Sequence, residues 1–315
     1  MNRYHLLPAL TSLFHIIFSS CSPVAIVLEH QPEFAEKYYE KKIRSIGENI
    51  KKEPENFDLL KKGVEGFTMY AFGFLMEKAD RAIINNYSTG VGLQEMAHQY
   101  FVDAIDFGER GINLKYNDYQ KWITGEIGNI GLEPVDIDIA LFYWTAAAYG
   151  GAVSSSQGDP EWVIKLPRVG LLLNEVIEKD SLWNNGAALV AMITYTMNNP
   201  EMAGESEKLA RRYFDTAVNA SNGMDIGPYI AIAESVSKLN QNRNEFIQLL
   251  NQTLDIDINS NPDLRLANII SRKRAEWLLE NVDEAISCLD FESAERKLHE
   301  VNHLFSNEFL FCFNY

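Results

Sequence analysis

The sequence predicts an all-α protein, a superhelix of stacked helical hairpins, and three observations predict it. Helical periodicity of apolar residues dominates from about residue 33 onward. Strand-type alternation flanked by turn residues is nearly absent until the last few residues. The breaks between periodic segments are short, at Pro32, 129–134, 154–160, 198–204 and 260–262, and none is a long Gly/Ser or charged linker. One continuous helical repeat domain over 57–305 is therefore expected, preceded by an N-terminal segment 21–56 and followed by a tail 306–315.

The elements follow in chain order. Residues 1–20 hold one basic residue, Arg3, then a mostly apolar run up to Phe18, then Ser19-Ser20-Cys21, after which polar sequence begins. That pattern reads as an export signal. Small residues directly before a cysteine resemble the bacterial lipobox, in which cleavage leaves the cysteine first in the mature chain with a diacylglyceryl group on its thiol. Cys21 is the expected anchor, with Phe18 standing where the usual pattern has Leu. An ordinary signal cut near Ser20, or an anchor helix, is the competing reading. Residues 33–62 are rich in Lys and Glu and are expected to form a solvated helix ahead of the first hairpin.

Two later segments share the pattern A-x-x-x-F-x-x-A: Ala97, Phe101 and Ala104, and again Ala210, Phe214 and Ala217. Small residues one turn either side of a ring let a second helix approach closely while the ring fills the gap. This is the second-helix signature of a tetratricopeptide repeat. Weaker copies are Val169, Leu173 and Val176, and Phe246, Leu250 and Thr253. Their spacing is uneven and wider than the about 34 residues of an ideal array, so the repeats are degenerate and carry insertions. A plain antiparallel helical bundle gives uneven hairpins too. The stretch 139–153 is uncharged but shorter than the about 20 residues that a bilayer requires, and it reads as a core helix. The ending Phe309, Phe311, Phe313, Tyr315 alternates as a strand would, and no role is assigned to it.

Composition removes several functions. With 46% hydrophobic residues, 315 residues bury a substantial core. A net charge of -16 and no long basic stretch argue against a nucleic-acid partner. Cys21, Cys288 and Cys312 have neither disulfide-framework nor zinc spacing. No cofactor motif is found, and no Gly-rich phosphate cradle or G-x-S-x-G elbow. Glu133, Asp136 and Asp138 are close in sequence, as acid/base chemistry would need, but acids before a helix are ordinarily caps. His299 and His303 have i,i+4 spacing without the H-E-x-x-H pattern, and His98 lies in a helical stretch. The chain is not expected to be an enzyme.

Four stretches in order carry a resemblance: LFYWTAAAYGGAVS with GDPEWVIKLPRVGLLLNEVIEKD, then NNPEMAGESEKLARRYFDTAV, then EFIQLLNQTLDID, then PDLRLANIISRKRAEWLL. Together they resemble the T component of TRAP-type tripartite transporters, the TatT family of periplasmic lipoproteins with tetratricopeptide-like repeats, over about residues 60–285. The family often has Gly-Gly where this chain has Ala203-Gly204. The resemblance implies a periplasmic protein held to a membrane through its lipid anchor and associating as a homotrimer. It also implies pairing with an extracytoplasmic solute-binding protein, the P component, and a cavity suited to an apolar ligand. No catalytic residue is carried over from it.

Tyr143, Trp144, Tyr149 and Trp162 coincide with Ala146, Ala147, Ala148, Gly150 and Gly151 around the helix break at 154–160. Rings beside small residues leave room for an apolar pocket, so these four are the candidate ligand site, with core packing as the alternative. Two further readings stand beside a transporter binding protein. One is a repeat lipoprotein scaffolding envelope assembly; the other, a helical hydrolase, needs carboxylates converging on a cleft.

Overall fold

The computed structural model describes residues 32–128 and 138–287, so Cys21, Glu133, Asp136, His299, His303, Cys288 and the 306–315 tail lie outside the described residues. Within them the chain is all-α, with no strand. The first helix, α1 (Pro32–Lys52), packs on α2 (Phe57–Tyr70), which a π-helical turn (Ala71–Met76) joins to α3 (Glu77–Asn85). α1 is less solvated than its charges suggest. Ala35, Ile43 and Ile50 fall on one face at spacings of eight and seven and are buried.

Four hairpins account for most of the rest. The long α4 (Tyr87–Asn113) returns along α2 and α3 and is followed by the short α5 (Tyr119–Ile123). Next, α6 (Ile139–Ser155) pairs through α7 (Pro160–Val163) with α8 (Leu166–Asp180). A 3-10 turn (Trp183–Gly186) leads into α9 (Ala187–Asn198), whose partner across the Pro200–Met202 turn is α10 (Ser206–Ala220). The fourth pair is α11 (Gly227–Ile232), extended by a π-helical turn (Ala233–Ser237), with α12 (Arg243–Asp255). α13 (Arg265–Glu280) and α14 (Val282–Ser287) close the series.

Asn and Asp residues start the helices by taking an otherwise orphaned N–H: Asn56 accepts from Leu59, Asn86 from Thr89, Asp138 from Leu141 and Asn242 from Glu245. The four expected triplets all lie on the second helices α4, α8, α10 and α12. Every member is buried except Phe214, which is half-buried and meets the Tyr229 ring edge-on at 5.4 Å. Close approach has a visible cost in side-chain size. A Cβ on Gly151 of α6 would stand 2.3 Å from the Phe101 ring of α4, so only glycine lets these helices meet there.

The apolar core falls into two main parts. The larger joins α2, α4, α6 and α8 and reaches α9 through Ala188, Met192 and Tyr195; the smaller centres on α11, α12 and α13. Ala35 of α1 also packs with Ile269 of α13, so the described chain's first and last long helices touch.

Candidate functional site

The uncharged α6 positions most of the predicted aromatic residues. A helix apolar on every side is normally buried on every side. This one leaves Ala140, Tyr143, Trp144, Ala147 and Gly150 half-buried at spacings of three and four, a single stripe down the helix. A Cβ at Gly150 would meet nothing within 4 Å. The stripe is thus partly exposed apolar surface, with Tyr143 and Trp144 also packed against the core and open space at Gly150.

The four predicted rings do not form one group. Tyr143 and Trp144 meet edge-on with centroids 5.1 Å apart, and a third ring that sequence reading missed, Trp183, lies 5.1 Å from Tyr143. All three are half-buried. Trp183 is held by an unusual turn: Asn184, Asn185 and Gly186 in succession take positive φ of 49°, 57° and 83°. For Asn and Gly this left-handed run is accessible, and Gly186 tucks under Ala220 at the end of α10.

Tyr149 points elsewhere. Six residues beyond Tyr143 is a rotation of about 240° on an α-helix, which takes its ring to the opposite side. It is buried; its hydroxyl donates to Glu109 Oε1 at 2.5 Å and accepts from Arg168 Nη1 at 2.7 Å. Burial, then the Glu109 charge, pushes its phenol well above the usual tyrosine range. This is a polar tie joining α4, α6 and α8. Trp162 packs edge-on against His98 at 4.9 Å, with Lys165 Nζ over its face at 3.7 Å. Among the described residues no ring contact joins Tyr149 or Trp162 to the Tyr143 group.

One acid completes the surroundings of Tyr143. Asp225, in the loop between α10 and α11, is buried, and Oδ1 accepts the Gly227 N–H at 2.8 Å. Asn268 of α13 pins the residues on either side, its Nδ2 donating to Met224 O at 2.7 Å and its Oδ1 accepting Ile226 N–H at 2.9 Å. Desolvation raises the Asp225 carboxyl above its ordinary value. Burial, followed by the Asp225 charge, pushes the Tyr143 phenol up to about 12.

A second polar centre was also missed. Arg274 of α13 donates to Asp80 Oδ2 of α3 at 2.7 Å and to Glu234 Oε1 of the second π-helical turn at 2.6 Å, with Glu77 Oε1 at 3.6 Å. Its guanidinium also stacks 4.8 Å from the Trp277 ring. Asp80 is pushed up to about 6, chiefly by burial, against the pull of Arg274. These residues are up to 194 positions apart in sequence, so no local motif announces them.

Asp138 caps α6 and pairs with Lys61 Nζ at 2.8 Å. Among the described residues no three His, Cys, Asp or Glu side chains are grouped to hold a metal ion, and no helix is long and apolar enough to cross a membrane.

Comparison with known proteins places this architecture. An uncharacterized protein of Treponema pallidum (strain Nichols) is 23% identical over 148 residues, 47% of this chain. The match spans about half of that relative's length, 46%. A family model described as TRAP transporter T-component matches residues 29–285, nearly all of the described chain and the stretches singled out in the sequence. The chain belongs to the TRAP transporter T-component family.

Proposed function

We propose that this accessory subunit of a TRAP-type transporter is a periplasmic, lipid-anchored binding protein that serves the extracytoplasmic solute-binding subunit and holds an apolar ligand at Tyr143, Trp144 and Trp183. The observation that carries the ligand role is the half-open stripe on α6, apolar and fringed by three rings where a core helix would be covered. Tyr149 is left out of the pocket, and Trp162 with it. Both serve packing between helices in this reading.

The partner role rests on family membership and on a physical point. Stacked hairpins of tetratricopeptide type offer broad surfaces for protein recognition, and a specific interface should bury at least about 1,000 Å². Self-association as a homotrimer and anchoring through Cys21 belong to the same proposal. Light scattering on the purified full chain, alone and mixed with the solute-binding protein encoded beside it, tests the assembly. A trimer whose mass rises with that partner supports the proposal; a monodisperse monomer that shows no shift leaves only a generic envelope scaffold. For the anchor, Cys21→Ala should release the protein from bacterial membranes and abolish the lipid mass at that residue. Equal membrane retention of both forms, with no mass added to the wild type, removes the anchor from the account.

A further inference from the structure

Tyr143 and Trp144 lie near the start of α6, Trp183 in the turn that feeds α9, and Asp225 two residues before α11 opens. Each short connection reverses the chain, so the first helices of consecutive hairpins run the same way and these starts share one rim. α6 touches α9, and α9 touches α11; Trp183 meets Tyr143 at this end, and Ala220, five residues before Asp225, lies against Gly186 of the Trp183 turn. Two facts about the rim bear on a ligand's charge. Three electron-rich ring systems are grouped within 5.1 Å steps and remain half-open. Asp225, whose charge acts on the Tyr143 phenol, is only 9% exposed and takes part in no ion pair among the described residues.

Burying an ionised carboxyl without a cation is costly, and proteins ordinarily supply one. Arg274 does so for Asp80. At Asp225 one oxygen is answered by the Gly227 N–H, and the partial positive charge of a helix start is smaller than the full negative charge it faces. Oδ2 makes no hydrogen bond among the described residues. Rings attract cations through their faces, and a carboxylate alongside is the usual complement for an alkylammonium group.

We infer, on the reading of this rim as a ligand site, that its ligand carries a cationic ammonium head on an apolar body, the head resting between Asp225 and the faces of Tyr143, Trp144 and Trp183. The body then lies along the partly exposed stripe of Ala147 and Gly150, where a Cβ on Gly150 would meet nothing within 4 Å. No covalent step is involved.

Octyltrimethylammonium, octanol and octanoate separate head from body, all used below their aggregation limits, with binding read by calorimetry and tryptophan fluorescence on the full chain. The ammonium should bind about tenfold or more tighter than octanol, and octanoate weakest. Asp225→Asn retains an oxygen for the Gly227 N–H, so the loop keeps its cap; it should bring the ammonium down to the level of octanol and leave octanol unchanged. Trp183→Leu, which stays apolar, should likewise erase the preference. Equal affinity for octanol and the ammonium, or a preference that survives both substitutions, overturns the cationic head while the apolar pocket stands. If none of the three probes binds in a manner that Trp144→Ala weakens, the pocket falls as well.

Discussion

The knot around Arg274 and the rim around Tyr143 are built from the same materials and finished differently. Each has an aspartate driven up by burial and at least one tryptophan nearby. In the knot a guanidinium meets three carboxylates at once and the indole of Trp277 covers it. At the rim the carboxylate meets no cation among the described residues and the indoles stay partly exposed. A centre completed from within the chain holds helices together; the one left incomplete is where the proposal puts a ligand. The knot ties α3, the turn after α11, and α13, and so joins the first hairpin to the last.

That contrast can be broken first at the knot. Arg274→Met should cost about 3–5 kcal/mol of unfolding free energy, because it leaves three carboxylates facing one another without their cation. Denaturant unfolding checks it, and a loss below about 1 kcal/mol would mean that the knot is decorative. Gly151→Ala probes the close packing of α6 against α4. Its methyl enters the Phe101 ring, so a loss of about 1–3 kcal/mol is expected in the same measurement.

The pH dependence gives a smaller, signed effect. Asp80 has a folded value of about 6 against an ordinary 3.8, so the folded state holds its proton more tightly than the unfolded chain. Its contribution therefore makes stability fall as pH rises from about 4 to about 6. Asp80→Asn, which leaves Arg274 paired with Glu234, should flatten that part of the melting-temperature profile. An unchanged profile would show that Asp80 titrates in its ordinary range.

How much of this was legible in the sequence depended on distance along the chain. The triplets Ala97-Phe101-Ala104 and Phe246-Leu250-Thr253 could be read because a helix face repeats every three or four residues, and the structure buries all six. The buried stripe of α1 was hidden because its apolar positions are sparse among Lys and Glu. Tyr149 was grouped with Tyr143 on nearness in sequence, although six residues turn a side chain to the far side of a helix. Trp183 and Asp225 come from separate hairpins and carry no motif, and the partners of Arg274 are spread over nearly the whole described chain. Long-range polar contacts are chosen by the tertiary fold and leave no local period to find. An odd run, Trp183-Asn184-Asn185-Gly186, was the one local sign of a special turn.

The central claim is that the Tyr143 rim is a site and not core, and Trp144→Ala tests it most directly. A fully buried tryptophan costs about 3–5 kcal/mol when truncated, and a half-buried one on an open stripe should cost clearly less. Octanol is titrated against wild type and variant by tryptophan fluorescence, with thermal melts of both proteins run in parallel. The account predicts at least about a tenfold loss of octanol affinity, equivalent to about 1.4 kcal/mol, with the cooperative melt retained. Collapse of the fold without a separate loss of binding would contradict it and return Trp144 to the core.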